Sequence, residues 1–288
     1  RHLAARAAPD LAAWLERLED EGKADRTLDD YLRTAAALLR EFPDRELRDI
    51  DEDSLMRFLR TYPRGSRRVR RAHLNSLFTW ASYMGRIDRN PMDRVPRMAA
   101  AGQRVPDLFS KDEIGRLCAL VAPDGPLMAI LLDTGLRKTE ARMLERRHVS
   151  LERNELTVYR GKGDKDRVIP LTERARYAVR DLDVLEALAP DDHLWPAQIG
   201  HSGHVRRHAP IGNGTFHRWY GRCLDSALVP YRNPHTTRHT FATRFLRAGG
   251  RLETLRLVMG HASIKTTLDL YGHLDLEDAR ADLALLEA

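Results

Sequence analysis

Between Asn90 and Pro106 the helical rhythm of this chain stops. Asn90-Pro91, Pro96, Gly102 and Pro106 punctuate a stretch of about fifteen residues in which apolar side chains recur at no regular interval. Proline lacks a backbone N–H and pushes the residue before it out of the helical region, so no helix or central strand threads this segment. The chain is therefore expected to build two cores, one from residues 1–102 and one from residues 107–288. With 288 residues, 42% of them apolar, there is enough material for both.

The first part reads as four helices. One runs from Leu11 to about Glu21 and ends before Gly22. A second starts with Thr27 as N-cap and carries Leu28, Leu32, Ala35, Ala36 and Leu39 at helical spacing. A third follows the Asp51–Asp53 cluster, with Leu55, Phe58 and Leu59 on one face, and a fourth runs from Ser66 to about Tyr83 with the stripe Leu74, Leu77, Phe78, Ala81. Short connectors make these a small bundle.

In the second part, Ser110-Lys111-Asp112-Glu113 restarts helix with a capping-box pattern. Further helices are expected near 126–133, 138–145, 172–187, 214–228, 236–248, 252–259 and 275–286. Leu156-Thr-Val-Tyr159 and Arg167-Val-Ile-Pro-Leu171 read as two strands joined by the turn Gly161–Asp166. The fold class is mainly α with a small β-sheet.

Charge is distributed unevenly. Residues 57–104 contain twelve arginines against two acids, Asp88 and Asp93, whereas residues 1–56 contain nine basic and fifteen acidic residues. Such polarity suits an element facing an anionic polymer. Arg64, Arg67, Arg68, Arg70 and Arg71 form its densest run. Two cysteines, Cys118 and Cys223, are too few and too distant for a disulfide framework or a Cys-based zinc site, and both read as reduced and at least half-buried. No apolar run approaches the roughly 20 residues of a membrane span. The opening residues lack the apolar region of a signal peptide, so a cytoplasmic protein is expected. What precedes Arg1, such as an arm-binding domain, is left open. His193, His201, His204 and His208 fall in one Gly/Pro-containing segment, but without a nearby Cys or an H-E-x-x-H frame they read as an exposed loop and not a metal site.

Four short motifs carry the chemistry. In His235-Thr-Thr-Arg238-His239, residues 235 and 238 lie one helical turn apart, so an imidazole and a guanidinium share a face near a helix start. In Thr134-Gly-Leu-Arg137-Lys-Thr-Glu140, Gly135 permits a sharp turn and Glu140 is spaced to hold the Arg137 guanidinium for a bidentate anion contact. Each pair is equally an ordinary charged helix face when taken alone. Lys162 sits in a Gly-Lys-Gly turn that is not a nucleotide-binding P-loop, with Lys165 competing for any role there. Finally, Met259-Gly-His261-Ala-Ser-Ile-Lys-Thr-Thr-Leu-Asp-Leu-Tyr271-Gly-His273 breaks one helix at Gly260 and restarts another carrying Tyr271. A phenol, with a free pKa of about 10, is a nucleophile only where cations stabilise the developing charge and a base takes its proton. Otherwise Tyr271 is a packed aromatic.

Taken together, in this order and with these neighbours, Arg137, Lys162, His235, Arg238, His261 and Tyr271 resemble the tyrosine recombinase (phage integrase) family. The strings T-G-L-R-K-T-E, G-K-G-D-K-D-R-V-I-P-L, H-T-T-R-H-T-F-A-T and M-G-H-A-S-I-K-T-T-L-D-L-Y-G-H match its motifs. The likeness is strong in the second part of the chain and loose in the helical first part. Thr237 and Met259 stand where leucine is common in the family.

The resemblance implies a site-specific DNA recombinase or integrase. Tyr271 would attack the scissile phosphate, leaving a 3′-phosphotyrosine and a 5′-hydroxyl. Arg137 and Arg238 would clamp the non-bridging oxygens, Lys162 would protonate the leaving oxygen, His235 would act as acid and base, His261 would hydrogen-bond the phosphate, and Glu140 would support the site. No metal or ATP is implied, since transesterification conserves the phosphodiester bond's energy. The two parts would form a clamp around double-stranded DNA with the arginine run on the phosphates, and a homotetramer would assemble on two duplexes, with accessory DNA-bending or directionality proteins as further partners. Two rival readings remain: a DNA-binding module with a vestigial centre, and a topoisomerase using the same tyrosine chemistry.

Overall fold

The computed structural model describes residues 8–97, 107–159, 166–199 and 204–260. Cα packing divides the chain into two compact units, Arg1–Arg104 and Val105–Ala288.

The first unit contains α1 (Ala8–Asp20), α2 (Asp25–Glu41), α3 (Glu52–Arg60) and α4 (Arg64–Tyr83). Their apolar stripes meet in one core around Leu11, Trp14, Leu38, Leu55, Leu77 and Phe78. Helix α3 starts where the acidic cluster suggests, with Asp51 as N-cap accepting the Ser54 N–H at 2.9 Å. Thr27 is not the N-cap of α2. The helix opens two residues earlier, with Asp25 in its first turn, where a carboxylate complements the unpaired N–H groups of the helix end. Helix α4 likewise begins at Arg64, one residue after Pro63, so Ser66 lies inside the first turn and bonds back to the Pro63 carbonyl.

The second unit contains α5 (Lys111–Cys118), α6 (Asp124–Thr134), α7 (Lys138–Arg142), β1 (Val149–Ser150), β2 (Glu155–Val158), β3 (Arg167–Pro170), α8 (Glu173–Glu186), β4 (Pro196–Ile199), β5 (His204–Pro210), α9 (Asn213–Ser226), α10 (His235–Arg247) and α11 (Leu252–Met259). The Ser110/Glu113 capping box forms as the pattern requires, through bonds of 3.2 and 2.8 Å. Helix α6 is apolar all round, with Leu127 to Leu132 buried, and packs against α5, α8 and α10. A helix buried on every side is fixed by its neighbours, and so therefore are the residues that leave its C-terminus. Cys223 is buried in this core, which pushes its thiol up to about 12, and Cys118 is half-buried.

Strands β1, β2 and β3 form an antiparallel sheet in that order, pairing Val149 with Leu156 and Leu156 with Ile169. A second antiparallel pair, β4 with β5, stands where the sequence suggests an exposed loop. His204 and His208 belong to β5, and His193 is buried at 4% exposure. The segment His204–Pro210 lacks apolar alternation, so its strand character comes from pairing with β4 and not from its own pattern. The helix expected over 138–145 stops at Arg142 and gives way to a single 3-10 turn and β1. The helix expected over 275–286 lies outside the described residues. No helix among the described residues is long and apolar enough to cross a membrane.

Candidate active site

The site begins at the C-terminus of α6. Gly135 ends that helix in the left-handed conformation at φ 62°, and a Cβ there would lie 2.5 Å from the Phe241 ring of α10. Only glycine fits. The turn buries Leu136 and puts Arg137 at the start of α7.

Glu140, one turn on, accepts from the Arg137 backbone N–H at 2.7 Å and from an Arg137 guanidinium nitrogen at 2.7 Å. A second arginine reaches the same carboxylate. Arg167, the first residue of β3, donates to both Glu140 oxygens at 2.9 and 2.7 Å and, through Nε, to the Val258 carbonyl at 2.8 Å. Burial pushes the Glu140 carboxyl up. Arg167 first and Arg137 second outweigh that effect and hold it down at about 2.

Arg238 lies inside α10 and is 2% exposed. Its guanidinium donates to the Gly135 carbonyl at 2.6 Å and the Met259 carbonyl at 2.5 Å. Arg137 in turn donates to the Gly260 carbonyl at 3.0 Å. Three arginines from three elements thus meet three successive carbonyls, Val258, Met259 and Gly260, at the end of α11. Helix C-termini leave such carbonyls without intrahelical partners and carry the negative end of the helix dipole.

His235 opens α10, its backbone N–H accepted by the Asn233 side chain at 2.9 Å. Pro234 stands one position before the helix, as its N-cap. Partial burial, then the charges of Arg238 and Arg137, hold the His235 imidazole below its usual pKa. His239 packs edge-on against it at 5.0 Å and is lowered further, to about 4, by burial and then by His235 and Arg238. Both rings are thus favoured as neutral groups near pH 7, and a neutral imidazole accepts a proton. Lys138 contributes a further cation, its Nζ 2.9 Å from His217 Nε2. Among the described residues, Arg137, Lys138, Arg167 and Arg238 outnumber the carboxylate of Glu140 here, a balance of charge that favours anions.

The structure therefore brings together Arg137, Glu140, His235 and Arg238. Lys162, His261 and Tyr271 lie outside the described residues. In the first unit, Arg64 and Arg68 are exposed on α4. Arg67 donates to the Tyr62 and Arg60 carbonyls at 2.7 and 3.0 Å, Arg71 to those of Val95 and Pro96 at 2.8 and 3.0 Å, and Arg70 stacks 3.9 Å over the Tyr62 ring.

Two further charged residues of the second unit carry only a faint signal in the sequence. Arg167 stands within the string G-K-G-D-K-D-R-V-I-P-L. Its signal is the two-residue strand period, which puts it on the same face as fully buried Ile169, where a cation requires a carboxylate. The other is Asp133, the acid near the C-terminus of α6, 3% exposed and bonded by Thr172 at 2.8 Å, by Arg244 at 3.0 Å and by two nitrogens of Arg174. An acid ending an apolar helical run is a buried charge in search of partners. Asp191, Asp192 and His208 also gather, with only Asp192 buried.

The second unit is thus a helical scaffold that gathers Arg137, Arg167 and Arg238 at the end of α11. The model of the Phage integrase family matches residues 105–278, and the chain belongs to that family. Its mainly helical fold with small sheets is that of the tyrosine recombinase catalytic domain. An Escherichia coli protein described as "Integrase/recombinase" is 30% identical over 207 residues, covering 60% of this chain and 61% of that protein. The match thus spans about three-fifths of that relative's length. Tyrosine recombinase XerC of Salmonella typhi is 29% identical over 217 residues, 73% of this chain and 69% of XerC. Among solved structures, the Tn1549 transposon integrase in complex with circular intermediate DNA is similar in fold, with TM-score 0.70 and 18% identity over 95% of this chain and 98% of that one.

Proposed function

We propose that the chain is a site-specific DNA recombinase that cuts and rejoins strands through a 3′-phosphotyrosine link to Tyr271. The observation that carries this reading is the convergence of Arg137 and Arg238 on one helix end, beside a His235 whose proton affinity is depressed. Two guanidinium groups suit the charge that builds on the non-bridging oxygens of a phosphoryl group in its pentacoordinate transition state. Both now donate to backbone carbonyls. A phosphate, being charged, is the stronger acceptor for the same donors.

The steps balance without an external energy source. The Tyr271 oxygen bonds to phosphorus as the bond to the 5′ oxygen breaks. His235 takes the phenolic proton, and Lys162 supplies one to the leaving 5′ oxygen. His261 hydrogen-bonds the phosphate, and Glu140 steadies Arg137. The reverse attack by a 5′-hydroxyl reseals the strand. The energy of the broken diester stays in the protein–DNA link, so the scheme asks for neither ATP nor a metal.

The two units are proposed to clamp duplex DNA, with Arg64, Arg67, Arg68, Arg70 and Arg71 toward the phosphates. Recombination of two duplexes takes four such chains, acting in the cytoplasm on nucleoid or phage DNA, with accessory DNA-bending proteins as further partners. The test starts in cells, where sequencing the DNA trapped covalently on the chain supplies the target. On a nicked duplex of that sequence the wild type accumulates covalent adduct and Tyr271→Phe accumulates none. Adduct from the Tyr271→Phe chain overturns the reading. A wild type that binds but never forms adduct leaves a DNA-binding module instead.

A further inference from the structure

We propose that Arg167 is a positioning residue for strand cleavage, holding Glu140 so that Arg137 meets the scissile phosphate at a fixed angle. The inference rests on the recombinase reading above and extends it to a residue to which that reading gives no role.

Without Arg167, Glu140 would be held only by Arg137, through its backbone N–H and one guanidinium nitrogen, in an ion pair spaced three residues apart at the start of α7, a helix of five residues. Pairs of that spacing are worth only a few tenths of a kcal/mol on an isolated helix, too little to fix a guanidinium to the precision that phosphoryl transfer needs. Arg167 changes this geometry. Its two terminal nitrogens span both Glu140 oxygens, so the carboxylate can neither rotate nor withdraw, and its Nε is anchored on Val258. Strand β3, helix α7 and the end of α11 are thereby tied through one carboxylate. Gly260 leaves room for the arrangement, since a Cβ there would lie 3.0 to 3.2 Å from the Arg167 side chain. The Arg167 side chain is 9% exposed, in keeping with a residue that acts through Glu140 rather than on DNA.

Charge makes the role separable from mere packing. Glu140 is faced by Arg137 at the start of α7 and by Arg167 from β3, and its charge reaches His235 of α10, which Arg238, Arg137 and Lys138 also face. Arg167 is the leading influence that keeps the buried carboxylate ionised. With it removed, burial is opposed mainly by Arg137, and Glu140 takes up a proton at a higher pH. A protonated Glu140 no longer balances Arg137 and releases it.

The test uses the full chain on the nicked duplex defined above, comparing wild type, Arg167→Gln, Arg167→Lys and the double variant Arg167→Gln/Glu140→Gln. Gel-shift affinity for DNA is expected to stay close to wild type, while adduct formation by Arg167→Gln slows about 100-fold. Arg167→Lys keeps the charge without the fork and should fall between. The decisive readout is the pH profile. Arg167→Gln should lose further activity relative to wild type as the pH falls below neutral, and the double variant should not show that added decline. A wild-type rate, or a slow rate that keeps the wild-type pH profile, overturns the inference. If Arg167→Gln does not fold, Arg167→Lys must form adduct more slowly than wild type while binding DNA with unchanged affinity, and a wild-type rate for that variant overturns the inference. A wild-type chain that forms no adduct refutes the recombinase reading, and this one with it.

Discussion

The Arg238 guanidinium lies 2.5 Å from the Met259 carbonyl, two residues before the segment that leads to Tyr271. The contact joins a buried cation of α10 to the end of α11, and the same guanidinium holds Gly135 at the end of α6. One residue thus satisfies two helix ends.

Replacing it should therefore cost both stability and chemistry. Arg238→Met fills much of the volume but leaves the Gly135 and Met259 carbonyls unpaired. A buried polar group without a partner costs about 1–3 kcal/mol. Urea unfolding is expected to show a loss of at least that size. Adduct formation should fall about 100- to 1000-fold, the usual loss for one transition-state donor. Stability unchanged from wild type would show that those carbonyls find other partners.

Glu140 gives a prediction in pH. Its carboxyl is lowered from 4.5 to about 2, so the stability it provides is fully present above its unfolded value and is lost as the pH falls through about 2. A shift of that size corresponds to about 3 kcal/mol for this nearly buried group. Thermal melts of wild type between about pH 5 and pH 2 should therefore lose that increment, beyond the losses from other acids. Glu140→Gln should start lower and lack this component of the slope, and parallel melting curves for the two chains would contradict the linkage.

Gly135 gives a prediction in backbone geometry. Gly135→Ala must adopt φ 62° and place its Cβ 2.5 Å from the Phe241 ring. The left-handed conformation alone costs about 1–2 kcal/mol for a residue with a Cβ, before the ring moves. The variant is expected to be destabilised by at least that amount in urea. Phe241→Ala should cost less stability in the Gly135→Ala background than in wild type, because there it also removes the clash while the strain remains.

What the sequence makes legible here is local. The apolar stripes of α1 to α4 announce themselves by period, the Ser110 box by its spacing, and Arg137, Glu140, His235 and Arg238 by their motifs. Contacts between distant elements are not legible in that way. Nothing near Arg167 says that it will meet Glu140, because the partners are 27 residues apart and come together only when β3 packs beside the end of α11. The same holds for Asp133 and its partners Arg174 and Arg244. Strand β5 fails for another reason: its side chains carry no alternation, so only its partner strand defines it. Helices α2 and α4 start two residues before Thr27 and Ser66, because an acidic first turn at Asp25 decides one end ahead of the Thr27 hydroxyl and the proline at 63 sets the other.

The arginine run of α4 gives the last prediction, because its five members occupy different surroundings. Arg64 and Arg68 are exposed and one turn apart, whereas Arg67 and Arg71 each close two backbone carbonyls of their own unit. If the exposed pair neutralises DNA phosphates, each alanine substitution removes one released counterion. The slope of log affinity against log salt should then drop by about 0.9 for Arg64→Ala and again for Arg68→Ala, with no loss of thermal stability. Arg71→Ala should behave in the opposite way. The Val95 and Pro96 carbonyls lose their donor, so the melting temperature falls, while the salt slope changes less than for either exposed residue. Equal slopes for wild type and the Arg64→Ala/Arg68→Ala double variant would remove this face of α4 from the DNA interface.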